Sequence, residues 1–183
     1  MNRPSCKFNL KLNLKSIDPP RPERYHSEHN TASTGAPPRP FYRITDGLYI
    51  GNHNTAGDLS VLQSAQIKVI VNLVWGKLDN PFTDHFIYEN FALEDSFSSN
   101  NEAIVRQIVR VVSVHLQNGR NVYVHCRQGM SRSPSVAIAY LMLTKNKHFP
   151  EAFEEVKALH PDIDLTLGMS DCLQKIDDVQ LIL

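Results

Sequence analysis

Asn121-Val-Tyr-Val-His-Cys126-Arg-Gln-Gly-Met-Ser-Arg132-Ser133-Pro134 is the stretch that decides how this chain is read. Asn121–His125 has the β-branched and aromatic content of a buried central strand. It delivers Cys126 to a loop of five residues, and Arg132 opens the next helix. Such a loop wraps an anion, with successive backbone N–H groups facing inward. Gly129 permits a curvature that a Cβ would obstruct. The helix after Arg132 adds the positive end of its dipole. In that setting the Cys126 thiolate is favoured over the thiol. Arg132 carries a planar fork able to hold two phosphate oxygens at once, which lysine cannot do. Arg127, Gln128, Gly129, Met130, Ser131 and Arg132 are therefore the expected phosphate-binding set. His125 is expected to hydrogen-bond backbone near the cysteine and fix the loop, and Ser133 to donate to the sulfur when it leaves. A structural cysteine ending a strand would explain Cys126 alone, and neither the glycine, the arginine nor the serines.

The flanking sequence supplies the frame. Ile67–Val74 is β-branched and nearly all apolar, as expected of a strand buried on both faces. Shorter strand signals lie at Tyr42–Thr45, Leu48–Ile50 and His85–Leu93, the first two joined by Asp46-Gly47. Helical spacing runs through Thr55–Gln66, Glu102–Gln117, Pro134–Lys145, Pro150–His160 and Gly168–Leu181. Pro134 and Pro150 are expected at first helical positions, where a missing N–H costs nothing. Strands alternating with helices predict an α/β fold, a central mostly parallel sheet flanked by helices.

Two segments are expected, a flexible basic Pro-rich stretch over 1–40 and a catalytic domain over 41–183. The first forty residues hold seven of the eleven prolines and seven Lys/Arg against three Asp/Glu, although the whole chain has a formal net charge of zero. That balance implies no bulk attraction to nucleic acid or to a membrane surface. No apolar run approaches a membrane span, and no secretory apolar block is visible. Cys6, Cys126 and Cys172 have no paired spacing, which argues for a reducing compartment, cytoplasm or nucleus. His26 and His29 lack further ligands at metal-binding spacing. Trp75 is expected to pack at a strand end.

His125-Cys126-x5-Arg132-Ser133 resembles the signature of the protein tyrosine phosphatases. The form HCRQGMSRS followed by Ala139-Tyr-Leu-Met142 resembles the dual-specificity branch, especially its small atypical members. Thr45–Asn52 and Val69–Leu73 match that domain's opening strands, so the similarity spans about residues 41–175. The resemblance implies a phosphoric monoester hydrolase acting on phosphotyrosine and phosphoserine or phosphothreonine in proteins. It implies two steps through a phosphocysteine, with no metal and no other cofactor. The family also places an acidic aspartate on a mobile loop upstream of the cysteine. Asp95, 31 positions before Cys126, matches it, with Glu94 as the competitor.

Departures carry information too. Leu165-Thr166-Leu167-Gly168-Met169 replaces the family's Pro-Asn-x-Gly-Phe, a difference expected to touch bracing rather than chemistry. His160-Pro161 stands where an Arg-Pro pair is common. Gln128 and Met130 are not the lysines found in relatives acting on inositol phospholipids, so phosphorylated proteins are the expected partners. In the tail, Arg3, Lys7 and Lys11 accompany alternating Leu10, Leu12 and Leu14. That pattern resembles peptides that dock on mitogen-activated protein kinases, with an extra edge strand laid on the domain and a cleaved organellar presequence as competing readings. Two other functions fit parts of the pattern: a phosphopeptide-binding module without turnover, and a rhodanese-like sulfur transferase. Loss of the cysteine, arginine or acid would favour the first, and all three are present. The second leaves the aspartate loop without purpose.

Overall fold

A computed structural model describes residues 41–74 and 80–180. The 1–40 segment, with Cys6, His26, His29 and its leucine pattern, and Trp75 lie outside the described residues, as does the start of any boundary at 40. Five strands form one sheet in the order β1-β2-β5-β3-β4. β1 (Phe41–Thr45) and β2 (Leu48–Asn52) make an antiparallel hairpin closed by Asp46-Gly47, with Gly47 at φ +83°. β2, β5 (Asn121–Cys126), β3 (Ile67–Asn72) and β4 (Ile87–Asn90) are mutually parallel. The sheet is thus mostly parallel and flanked by helices.

Side-chain alternation along β5 divides the molecule into two cores. Val122, Val124 and Cys126 face the larger one, filled by α3 (Asn101–Gln117), α4 (Arg132–Lys145), α5 (Phe149–Leu159) and α6 (Leu167–Gln180). Tyr123 faces a smaller cluster with Ala56, Leu62, Ile67, Ile70 and Phe86. Helix α4 is buried from Ser133 to Ala139 and again at Leu141 and Met142, which is why its sequence is apolar all round rather than striped. No helix among the described residues is long and apolar enough to cross a membrane.

Several expectations are corrected. The single helix expected over Thr55–Gln66 is two short ones, α1 (His53–Ala56) and α2 (Leu59–Ser64). Gly57 ends the first, and the Asp58 carboxylate caps the second by accepting from the Val61 N–H. The β3 strand ends at Asn72 and carries an exposed Lys68 where its pairing with β5 shifts register, so it is not buried throughout. The fourth strand is shorter than His85–Leu93 because it lies at the sheet edge and β3 pairs with it only from Val69 to Asn72. Pro134 is the third residue of α4 and Pro150 the second of α5; both still fall among the first N–H groups, which no helix pairs internally.

Candidate active site

The carboxyl ends of β2, β3 and β5 converge, and ligands in open parallel sheets gather at such ends. Cys126 is the last residue of β5, 2% exposed, and its side chain belongs to the larger core. Beyond it the loop turns sharply. Gly129 has φ +83°, and a Cβ there would come within 3.0 Å of the Gly51 carbonyl carbon, so both conformation and space demand glycine.

The loop's carbonyls are tied outward one after another. Arg127 O accepts from the His53 N–H (3.3 Å), Met130 O from the Asp164 N–H (3.0 Å), and Ser131 O from the Ser135 N–H and hydroxyl (both 2.9 Å). Gly129 O accepts from His160 Nε2 at 2.9 Å. A trans peptide points its N–H opposite its C=O. The N–H groups of Gln128, Met130 and Ser131 are therefore turned to the inside of the loop, and they find no acceptor among the described residues. The Gly129 N–H lies 3.2 Å from Cys126 Sγ. The result is an anion cradle with the sulfur at its base and the α4 N-terminus behind it.

Ser133, fully buried, sits 3.4 Å from Sγ and donates to Gly51 O at 3.0 Å. Its one proton serves two acceptors, so turning toward a thiolate means giving up the carbonyl. Arg132 lies at the rim. Its Nη1 donates to Leu73 O (3.1 Å), while Nε stands 3.4 Å from Asp95 Oδ2. Asp95 Oδ1 accepts from Ser131 Oγ at 2.6 Å and from Thr166 Oγ1 at 3.3 Å. The carboxylate thus leans on the cradle itself. Glu94, by contrast, is exposed, and its carboxylate accepts from Ser96 Oγ at 3.5 Å.

His125 is buried, stacked on Tyr123 (centroids 5.9 Å apart) and tilted against His53. Its pKa is lowered to about 4, first by burial and then by His53, with the Cys126 backbone opposing weakly. The imidazole is neutral at physiological pH. Nδ1 has no partner in regular geometry among the described residues, while the Cys126 backbone acts on the ring in the sense of the expected hydrogen bond, favouring its charged form. Tyr123 ties down the neighbouring turn, donating to Asn52 O at 2.9 Å; burial raises its pKa, so the phenol keeps its proton.

Sequence reasoning missed three residues here. Asn101, 1% exposed, donates through Nδ2 to Glu94 O (3.1 Å) and Ser96 O (2.9 Å) and so grips the chain on both sides of Asp95. Thr166 holds Asp95 while its Oγ1 also accepts from the Met169 N–H at the start of α6, and its own N–H donates to Ser131 Oγ. This corrects the expectation that 165–169 brace the fold alone, because α6 starts against the carboxylate. His160 reaches the loop from behind. The contacts of Thr166 with Asp95 and Ser131 and of His160 with Gly129 each join residues more than thirty apart, and no local pattern announces them. Two surface clefts of about 410 Å³, one lined by Arg43, Tyr49 and Arg120, the other by Arg110, Val114 and Leu143, lie away from the loop and hold none of these groups.

Residues 48–177 match the family described as "Dual specificity phosphatase, catalytic domain". The protein-tyrosine-phosphatase MKP1 of Arabidopsis thaliana is 34% identical over 129 residues, covering 70% of this chain and 16% of the relative. The dual specificity protein phosphatase PHS1 of the same plant is 30% identical over 173 residues, covering 93% and 18%. The chain therefore spans less than a fifth of either relative's length. Among solved structures, a mouse dual specificity phosphatase complexed with zinc tungstate superposes with a TM-score of 0.73 at 27% identity, covering 84% of this chain and 96% of that one.

Proposed function

This chain belongs to the dual-specificity phosphatase family, and from that premise we propose that it hydrolyses phosphotyrosine and phosphoserine or phosphothreonine in proteins through a phosphocysteine. The observation that carries the reading is the cradle: a thiol at the base of inward N–H groups, with Arg132 and Asp95 3.4 Å apart at its rim. Bound phosphate takes the guanidinium that Asp95 contacts in the resting structure, and the carboxyl is left beside the leaving oxygen. The reacting form has Cys126 as thiolate and Asp95 as the neutral acid; Sγ attacks phosphorus, the P–O bond to the substrate breaks, and Asp95 gives its proton to the departing alkoxide or phenoxide. Asp95 then accepts a proton from water as that water attacks the phosphocysteine. The P–S bond breaks, inorganic phosphate leaves, and the Ser133 hydroxyl turns to the freed thiolate. Loop N–H groups and Arg132 stabilise the three equatorial oxygens throughout.

Nothing in this sequence of steps calls on a metal or an organic cofactor. A narrower proposal makes mitogen-activated protein kinases substrates, on the strength of the Arg3, Lys7, Lys11 and Leu10–Leu14 pattern. The cysteine usage favours the cytoplasm or nucleus. Purified protein assayed on paired phosphotyrosyl and phosphothreonyl peptides tests the activity. Hydrolysis of both classes, lost in Cys126→Ser, is expected. Hydrolysis of neither, with tight capture of both, would support a binding module instead.

A further inference from the structure

We propose that His160 is a positioning residue of the phosphate cradle, its Nε2–H holding the Gly129–Met130 peptide so that the Met130 N–H faces the anion. The inference rests on the phosphatase reading above. His160 follows α5, 1% exposed, and its ring stacks on Tyr42 of β1 with centroids 3.9 Å apart and planes 14° from parallel. That stack fixes the ring plane, and Nε2 reaches Gly129 O at 2.9 Å. A carbonyl only accepts, so the proton is on Nε2. Nδ1 is buried and has no partner among the described residues, which leaves the ring one polar task.

That task matters because of where the peptide sits. Gly129, at φ +83°, has no side chain to restrain it, and glycine moves between backbone regions at little cost. Rotation of the Gly129–Met130 peptide would turn its carbonyl into the cradle, replacing a donor with a negative dipole facing the anion. Other outward carbonyls are held by backbone N–H groups or, at Ser131, by the first turn of α4. At Gly129 a side chain from another element does the holding. The coupling also strengthens under load. An oxyanion that pulls on the Met130 N–H polarises the same peptide, and its oxygen becomes a better acceptor for His160. The brace is worth most when charge on the phosphoryl oxygens is greatest. Burial keeps the ring neutral, with Asp162 and Lys157 acting in opposite senses on it and the Gly129 hydrogen bond favouring the charged form.

The test compares His160→Phe, which keeps the ring stack and removes the donor, with His160→Gln, which restores a donor at the ε position. Full-length protein is titrated with tungstate, and turnover of an aryl phosphate and melting temperature are measured alongside. His160→Phe is expected to weaken tungstate binding about three- to tenfold, the range a neutral hydrogen bond supplies. It should lower kcat/KM at least as much, and His160→Gln should recover most of both. Wild-type tungstate affinity and kcat/KM in His160→Phe would overturn the proposal. Should that variant fail to fold, the comparison moves to His160→Gln against His160→Asn, whose donor is one bond short. Weaker binding in the asparagine variant supports the brace, and equal binding overturns it. Wild-type protein that binds tungstate but turns over no phosphoester would refute the phosphatase reading and leave the tungstate comparison intact.

Discussion

Gly168→Ala should damage catalysis although Gly168 touches neither Cys126 nor Arg132. It is the second residue of α6, and the Ser96–Phe97 backbone lies directly on it. A Cβ at this position would stand 2.3 Å from Ser96 C, 2.5 Å from Ser96 O and 2.6 Å from Phe97 N. Backbone cannot swing aside as a side-chain tip can. To reach ordinary contact the segment must retreat by about 1 Å, close to the misplacement that can lower a rate roughly 10²-fold. Asp95 is the preceding residue, so its 2.6 Å contact with Ser131 and 3.3 Å contact with Thr166 open together. The overpacking should also lower stability by about 1–3 kcal/mol. The assay is a leaving-group series, from an activated aryl phosphate to phosphothreonine, with circular dichroism to establish folding. Since only poor leaving groups need the acid, phosphothreonine hydrolysis should fall about 10–100-fold and the activated ester far less. A folded Gly168→Ala protein with the wild-type ratio between the two substrates would refute the idea that the α6 start positions Asp95.

Asp95→Asn should slow poor leaving groups by roughly 10²–10⁴ and spare the activated ester; that pattern in Glu94→Gln instead, under the same assay, would reassign the acid. Arg132→Lys should be nearly as inactive as Arg132→Ala, because a point charge cannot span two oxygens as the guanidinium does; near-wild-type kcat/KM in the lysine variant would contradict the clamp. Stability should fall as pH drops from about 6.5 toward about 4, since folded His125 stays neutral over a range in which the unfolded residue takes up a proton. The full effect is about 3 kcal/mol, present above the unfolded pKa. His160, shifted in the same direction, adds to it. Urea titrations at several pH values check this, and a flat profile in wild-type protein, or one unchanged in His125→Asn, would count against it.

Much of the site was legible because it is contiguous. Cys126, Gly129, Arg132 and Ser133 lie within eight residues, and strand, loop and helix follow one another without insertion. The apolar runs of β3 and β5 and the long stripe of α3 likewise carry their own periodicity. Local signals failed where a capping residue outweighed helical spacing, as at Gly57-Asp58. They failed more widely where chain segments meet across the fold. Asn101 reads as an ordinary helix-opening residue, and Thr166 as a departure from a bracing motif. Only their placement against 94–96 and Ser131 reveals what they hold. At His125 the sequence suggests a backbone hydrogen bond beside Cys126, and the Cys126 backbone does act on the ring, but burial beside Tyr123 governs its charge.

The central claim is a covalent phosphoryl group on Cys126 Sγ, and rapid acid quench during turnover of a phosphopeptide, followed by mass spectrometry, tests it most directly. Phosphate on Cys126 is the expected result. It should be absent from Cys126→Ser, which should still bind the peptide through the loop amides and Arg132. Turnover by Cys126→Ser within tenfold of wild type, an estimate far inside the loss of a catalytic nucleophile, would contradict it, as would a quenched phosphoryl group carried by any other residue.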